Sequence, residues 1–184
     1  MKHGVDEAYE LQVLPVIDND AYVVMTANTV YGVLRGFQTL LQLLEYGWQE
    51  EEDDDKAIWI LPDAPIHIMD APAYPYRGLL IDTSRHYLPL NLILLNLDAM
   101  EINKMNVLHW HLTDSQSWPF ESERYPELSR RGAYCVDCIY SKDDIQTVIQ
   151  QAVDRGIRVI LEVDLPGHSQ GKLMACRVVA LWLF

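Results

Sequence analysis

The sequence predicts an α/β chain: a small α+β unit, then a unit of β-α-β-α-β order with a parallel sheet. Three observations lead there. Residues 77–82, 106–112 and 157–164 are nearly continuous apolar runs, as expected of strands covered on both faces. Between them lie stretches with apolar residues at helical spacing. Asp70-Ala71-Pro72-Ala73-Tyr74-Pro75 carries two prolines, which favour an extended join between the units. The expected division is 1–73 for the small unit, 74–170 for the second and 171–184 for a separate tail.

In the small unit, residues 9–16 read as a strand. Tyr22–Ala27 reads as a second, after the turn signal Asp18-Asn19-Asp20. Val30, Val33, Leu34, Phe37, Leu41 and Leu44 follow helical spacing, with Asn28 or Thr29 as cap and Gly47 as stop. Ala57–Leu61 and Pro65–Met69 add two strands, so the order is β-β-α-β-β with the helix on a small sheet. In the second unit, Arg77–Asp82 is the first strand. Leu90, Ile93, Leu94, Leu97 and Met100 make a helical stripe, and Asn106–Leu112 is the next strand. A loop region with Pro119 and Pro126 follows. Ser141 and Asp144 have capping-box spacing ahead of a helix marked by Ile145, Val148, Ile149, Ala152 and Val153. Gly156 is placed to stop that helix before the strand Ile157–Asp164.

Composition narrows the function classes. The 184 residues are 49% apolar and 22% charged, an ordinary globular mixture that excludes a wholly disordered, collagenous or coiled-coil chain. A closed eight-stranded α/β barrel takes about 250 residues and at least about 200, so barrel-type units here fall short of a full barrel. Twenty-seven acidic against 14 basic residues give a net charge of −13, which argues against nucleic acid or an anionic membrane as partner. The acidic run at 50–55 reads as a solvated surface loop. The N-terminus has no apolar signal-peptide core, and the apolar stretch Val178–Phe184 is far short of the roughly 20 residues that span a bilayer. Three cysteines do not make a disulfide scaffold; Cys135 and Cys138 are expected as two loop thiols rather than a zinc half-site or redox pair.

Each strand of the second unit turns polar at its C-terminal end: Asp82-Thr83-Ser84-Arg85-His86, then His109 to Asp114, then Glu162 to His168. Parallel α/β sheets bind ligands at these ends, and three adjacent ones point to one site. Arg85 offers a fixed fork of donors for sugar hydroxyls or a carboxylate, or else a salt bridge to Asp82. Asp114 would orient or charge-couple a neighbouring group, or cap the next loop. His168, aimed back by the Pro166-Gly167 turn, would hold a proton relay or hydrogen bond near Asp114 or Asp164. His109 and His111 share strand parity and so face the same way, but no second ligand cluster supports zinc; neither metal nor cofactor is expected.

Tyr76–Pro89 (YRGLLIDTSRHYLP) closely resembles the first barrel strand of the β-N-acetylhexosaminidases, glycoside hydrolase family 20. Asn103–Asp114 (NKMNVLHWHLTD) resembles their second strand and Gly156–His168 (GIRVILEVDLPGH) their third. Asp6–Tyr9 and Thr29–Gly36 resemble the family's small domain, so the likeness covers about residues 5–170. It implies a small α+β domain followed by the first three strands of a (β/α)8 TIM barrel. It also implies removal of terminal, non-reducing N-acetylhexosamine from glycans, glycoconjugates or chitin oligomers. The mechanism would be substrate-assisted, outside the two-carboxylate scheme. Arg85 matches the arginine that holds sugar hydroxyls, Asp114 and His168 match residues that support the general acid, and Asp164 matches a further support of that network. The family setting is lysosomal or secreted, often as a homodimer.

The family's adjacent Asp-Glu catalytic pair belongs beyond His168. Asp6-Glu7 is no substitute, because it sits in the small domain. The expected identity is thus a truncated member. A non-catalytic sugar-binding or regulatory piece, or a gene-model artefact without function, stands as the alternative. Gly171-Lys172 can be encoded by an intron-donor consensus, so residues 171–184 are read as intron read-through or another gene-model artefact. Ser115 stands where many relatives carry a second aspartate.

Overall fold

The computed structural model describes residues 2–15, 22–49, 56–164 and 167–168. The chain divides into two compact units between Pro75 and Tyr76. The acidic run at 50–55, the Asp18-Asn19-Asp20 turn, Pro166 and the whole of 171–184 lie outside the described residues.

In the small unit, β1 (Tyr9–Val13) is the middle of a three-stranded antiparallel sheet, between β2 (Val23–Ala27) and β5 (Ile66–Asp70). Tyr9, Leu11 and Val13 are buried and alternate with half-buried Glu10 and Gln12, the period expected of a strand with one covered face. Helix α1 (Val30–Leu43) packs on β1 and β2. Of the two cap candidates it is Thr29 that serves, its hydroxyl accepting the Gly32 N–H at 3.2 Å. The helix does not bury its apolar stripe. Val30, Phe37 and Leu41 are exposed, while Gly32, Arg35 and Gly36 face inward. Gly32 permits the close approach: a Cβ there would stand 2.3 Å from the Ala8 carbonyl oxygen. Buried Arg35 donates from Nε to Glu7 Oε1 at 2.7 Å.

Gly47 does not stop α1. The chain turns extended at Leu44, and Gly47 lies inside β3 (Glu45–Gln49), a strand the sequence reading lacked. β3 pairs antiparallel with β4 (Lys56–Ile60) as a separate two-stranded sheet, and this pairing draws the chain out of the helix. Its directly opposed Tyr46 and Trp59 meet edge to face, ring centroids 5.2 Å apart.

The second unit is a parallel sheet of order β6-β7-β8, formed by β6 (Gly78–Asp82), β7 (Val107–Thr113) and β8 (Arg158–Val163). Helices α2 (Leu90–Ile102) and α4 (Lys142–Asp154) are its crossovers. Ile81, Leu108, Trp110 and Leu112 meet Ile93 and Leu97 of α2 and Val148 and Ala152 of α4 in one core. The Ser141–Asp144 capping box forms as its spacing predicts. Gly156 (φ 64°) closes α4, with Ile157 N–H donating to Ala152 O at 2.8 Å and Gly156 N–H to Val153 O at 3.0 Å. Lys104 (φ 53°) closes α2 in the same way without being glycine. Buried Asn106 joins the starts of all three strands: its N–H donates to Arg77 O at 3.0 Å, its side-chain oxygen accepts Arg77 N–H at 2.9 Å, and its carbonyl accepts Arg158 N–H at 2.9 Å.

Two loop expectations are corrected. The region around Pro126 contains a short helix, α3 (Glu127–Gly132). Cys135 and Cys138 are bonded to each other, not free thiols. A turn closed by Cys138 N–H to Cys135 O at 3.1 Å brings their Cα atoms to 4.9 Å, within bridging range.

Candidate functional site at the strand ends

The register β6-β7-β8 sets Asp82, His111 and Glu162 side by side. All three share parity with Leu80 and His109, while Ile81 and Trp110 point into the core, so charge collects on one face. Asp82 shapes the turn after β6. Its Oδ1 accepts the N–H groups of Ser84 and Arg85, both at 3.0 Å, and its Oδ2 accepts from Arg85 Nη1 at 2.7 Å. The guanidinium then reaches across to Asp114 Oδ2, 2.8 Å from Nη2. Both sequence alternatives for Arg85 therefore hold at once: it is salt-bridged to Asp82 and still presents a side chain 43% exposed.

Asp114 is the junction. It is 2% exposed; its Oδ1 accepts the Ser115 N–H at 2.5 Å, and its Oδ2 faces His111 Nε2 at 3.0 Å, Arg85 at 2.8 Å and His168 Nδ1 at 3.6 Å. His168, in the left-handed region at φ 52° and 66% exposed, bonds Asp164 Oδ2 through Nδ1 at 2.8 Å. The structure thus brings Arg85, Asp114, His168 and Asp164 together. Ser84 and Ser117 lock the two loops reciprocally, each hydroxyl donating to the other's carbonyl at 2.9 and 2.6 Å. Tyr134, next to the disulfide, donates its hydroxyl to the Arg85 carbonyl at 3.0 Å.

The electrostatics follow from these contacts. Burial pushes the Asp114 carboxyl up, but the Ser115 N–H, His111, Arg85 and His168 outweigh it and hold the carboxyl below its ordinary range. Asp82 behaves likewise, burial being outweighed by the Arg85 and Ser84 contacts. Asp164 is lowered chiefly by the His168 hydrogen bond. Arg85 is raised, first by its hydrogen bond to Asp82. Burial pulls His111 down, but Asp114 and Glu162 outweigh it and the net shift is upward.

Glu162, which the sequence places at the third polar strand end without a role, is the residue whose part in the cluster sequence reasoning missed. Its Oε1 lies 3.0 Å from His111 Nδ1, and its Oε2 is hydrogen-bonded to His109 Nε2. The shared parity of His109 and His111 was a real signal, but it led to a carboxylate. Donor atoms of His111, Asp114 and Asp164 lie within 4.8 Å of one another. Arg85 already sits on the central oxygen, a fixed positive charge that would repel a divalent ion.

The arrangement defines an α/β protein with its charged and polar side chains gathered at the carboxyl ends of parallel strands, the end at which such sheets bind ligands. A model described as "Glycosyl hydrolase family 20, catalytic domain" matches residues 74–180, running past residue 170, and one described as "beta-acetyl hexosaminidase like" matches residues 1–43. The beta-hexosaminidase subunit beta of Felis catus is 45% identical over 168 residues, 90% of this chain and 28% of that protein. A Flavobacterium johnsoniae chitobiase structure superposes with a TM-score of 0.74 at 34% identity, over 95% of this chain and 24% of that one. The β-N-acetylhexosaminidase of Bacteroides fragilis gives 0.76 at 30%, over 93% and 33%. The chain belongs to glycosyl hydrolase family 20, and it spans about a quarter of the length of the curated relatives it matches.

Proposed function

We propose that this chain forms the small domain and the first three strands of a (β/α)8 barrel in a β-N-acetylhexosaminidase. It contributes the sugar-holding side of a site that releases terminal, non-reducing N-acetylhexosamine from glycans, glycoconjugates or chitin oligomers. The observation that carries this reading is the convergence of Arg85, His111 and His168 on buried Asp114 at the strand ends. Arg85 holds sugar hydroxyls, its outward donors oriented by two carboxylates. Asp114 and His168 support the general acid, and Asp164 orients His168.

In the proposed mechanism the substrate's own acetamido oxygen attacks the anomeric carbon while a glutamic acid protonates the leaving oxygen. That glutamate and its preceding aspartate come from outside these 184 residues. The chain's one adjacent Asp-Glu pair, Asp6-Glu7, cannot supply them: Asp6 accepts from Ala8 N–H and Asn28, and Glu7 is buried against Arg35. Among the described residues no helix is long and apolar enough to cross a membrane. The proposed setting is lysosomal or secreted, with the complete protein as a homodimer.

The test titrates the 184-residue chain with N-acetylglucosamine by NMR and assays it on a chromogenic N-acetylglucosaminide beside a full-length relative. The reading expects binding that moves the Arg85 side-chain resonance, with no turnover, since general acid catalysis alone contributes about 10²–10⁴-fold. Turnover at the relative's level would refute the assignment of the acid to residues outside the chain.

A further inference from the structure

We infer that His111 is held as a doubly protonated imidazolium between Glu162 and Asp114, and that Glu162 thereby acts as a positioning residue for the Asp114–Arg85 pair. A neutral imidazole carries one N–H donor and one lone pair. Here both ring nitrogens face carboxylate oxygens, Nδ1 to Glu162 and Nε2 to Asp114, each at 3.0 Å. Either neutral tautomer would set its lone pair against a carboxylate in a nearly closed site, since the His111 side chain is 6% exposed. Only the imidazolium donates in both directions.

A protonated Asp114 would not relieve the conflict. Asp114 accepts the Ser115 N–H on Oδ1 and Arg85 on Oδ2, so both oxygens already face donors. Glu162 hydrogen-bonds His111, His109 and Asp164, and a proton it carried would serve the Asp164 carboxylate, leaving the oxygen that faces His111 an acceptor. The other charged and titratable groups around this cluster are Asp82 from β6, Asp164 after β8, Arg85, and His168 beyond Asp164. Carboxylates outnumber the one guanidinium, so the field favours a cation at His111. Burial opposes that charge, and the two hydrogen bonds overcome it.

The consequence reaches Arg85 through one atom. Asp114 Oδ2 is bonded by both His111 and Arg85. A second fixed cation there keeps Asp114 ionised, and ionised Asp114 pins Nη2 while Asp82 pins Nη1. Glu162 touches neither Arg85 nor a sugar in this scheme; it acts by holding the proton on His111. That this matters for sugar binding rests on the function proposed above. The protonation and the pinning do not.

The experiment uses the ¹⁵N-labelled 184-residue chain. Long-range ¹H–¹⁵N spectra of the imidazoles are recorded across neutral pH, together with the Arg85 Nε–H signal. His111 is expected to carry protons on both nitrogens at neutral pH and to hold the second more tightly than an ordinary exposed imidazole. A neutral His111 in the unaltered chain overturns the proposal, whether or not any variant folds. Glu162→Gln removes the charge but keeps an acceptor. It is expected to lower the His111 proton affinity about tenfold and to quicken Arg85 Nε–H exchange, and Glu162→Asp is expected to restore part of both. An Arg85 signal that Glu162→Gln leaves unchanged would overturn the positioning role. Neither readout needs a sugar, so a chain that fails to bind N-acetylglucosamine counts against the proposed function alone.

Discussion

Thr83→Val removes a buried hydroxyl directly beneath the strand ends, and with it the acceptor of the Trp110 indole N–H. Thr83 follows β6 and is fully buried; its hydroxyl accepts the Trp110 Nε1–H at 2.9 Å and faces the His111 carbonyl at 3.4 Å. Valine has nearly the same shape and no acceptor, so the Trp110 N–H loses its partner at a site of zero exposure. An unsatisfied buried donor costs about 1–3 kcal/mol, and the extra methyl returns up to about 0.8 kcal/mol. The net loss is therefore roughly 1–2 kcal/mol, on the order of 5–15 °C in Tm for a unit of this size. Hydrogen exchange of the β7 amides is the suitable assay, because it reads the parallel unit without interference from the small one. In a Trp110→Phe background the donor is already gone, and Thr83→Val should cost about 1 kcal/mol less. A Thr83→Val chain as stable as the original, or an equal cost in both backgrounds, would refute the reasoning.

Other substitutions follow from the same kind of geometry. Gly32→Ala should destabilise the small unit by about 1–3 kcal/mol in urea unfolding, because its Cβ meets the Ala8 backbone at 2.3 Å. Gly36→Ala meets the flexible Met25 thioether at 2.6 Å and should cost less. Lys104→Gly should stabilise by roughly 0.5–1 kcal/mol, the left-handed penalty less glycine's unfolded-state entropy, and a lowered Tm would contradict the strain at φ 53°. Glu7→Ala leaves buried Arg35 without this counter-charge and should cost about 3–5 kcal/mol in the same unfolding assay. Stability against pH should fall at both ends. The lowered Asp82 and Asp114 contribute fully above about pH 4, and the contribution is lost as pH falls through their folded values. The raised His111 contributes fully below about pH 6.5, and its contribution is lost as pH rises through its folded value. An alkaline limb that is flat in the unaltered chain, or that falls equally in His111→Gln, would remove His111 from this account.

Local rules made much of this chain legible. The Ser141–Asp144 box and the Gly156 stop are encoded within a few residues, and both form as their spacing predicts. The three charged strand ends were legible because strand polarity and apolar run length are local too, and Arg85, Asp114, Asp164 and His168 meet there. What escaped needed partners far along the chain. Glu162 reads as a single charge in a buried strand until the register sets it beside His111, 51 positions earlier. β3 exists by pairing with β4 across the acidic run. The inward face of α1 was hidden because its buried residues are two glycines and an arginine, not its leucines, and Arg35 is charge-paired there with Glu7. The disulfide required the Cys135–Cys138 turn, which two cysteines alone do not specify.

Asn106 gives the site a dependence that no map of its contacts would reveal. It ties the starts of β6, β7 and β8 in one alignment, at the end of the sheet away from the charged cluster. A slip of one residue in any of these strands would turn its charged positions toward the helices and its apolar ones outward. His111 is five residues further on, about 16 Å along the strand. A genetic screen for loss of the proposed sugar binding would therefore return Asn106, whose side-chain bond to the Arg77 N–H is the contact a substitution removes, alongside Arg85 and Asp114. The lesion would be one of alignment, transmitted along a rigid strand, with every side chain of the site still encoded.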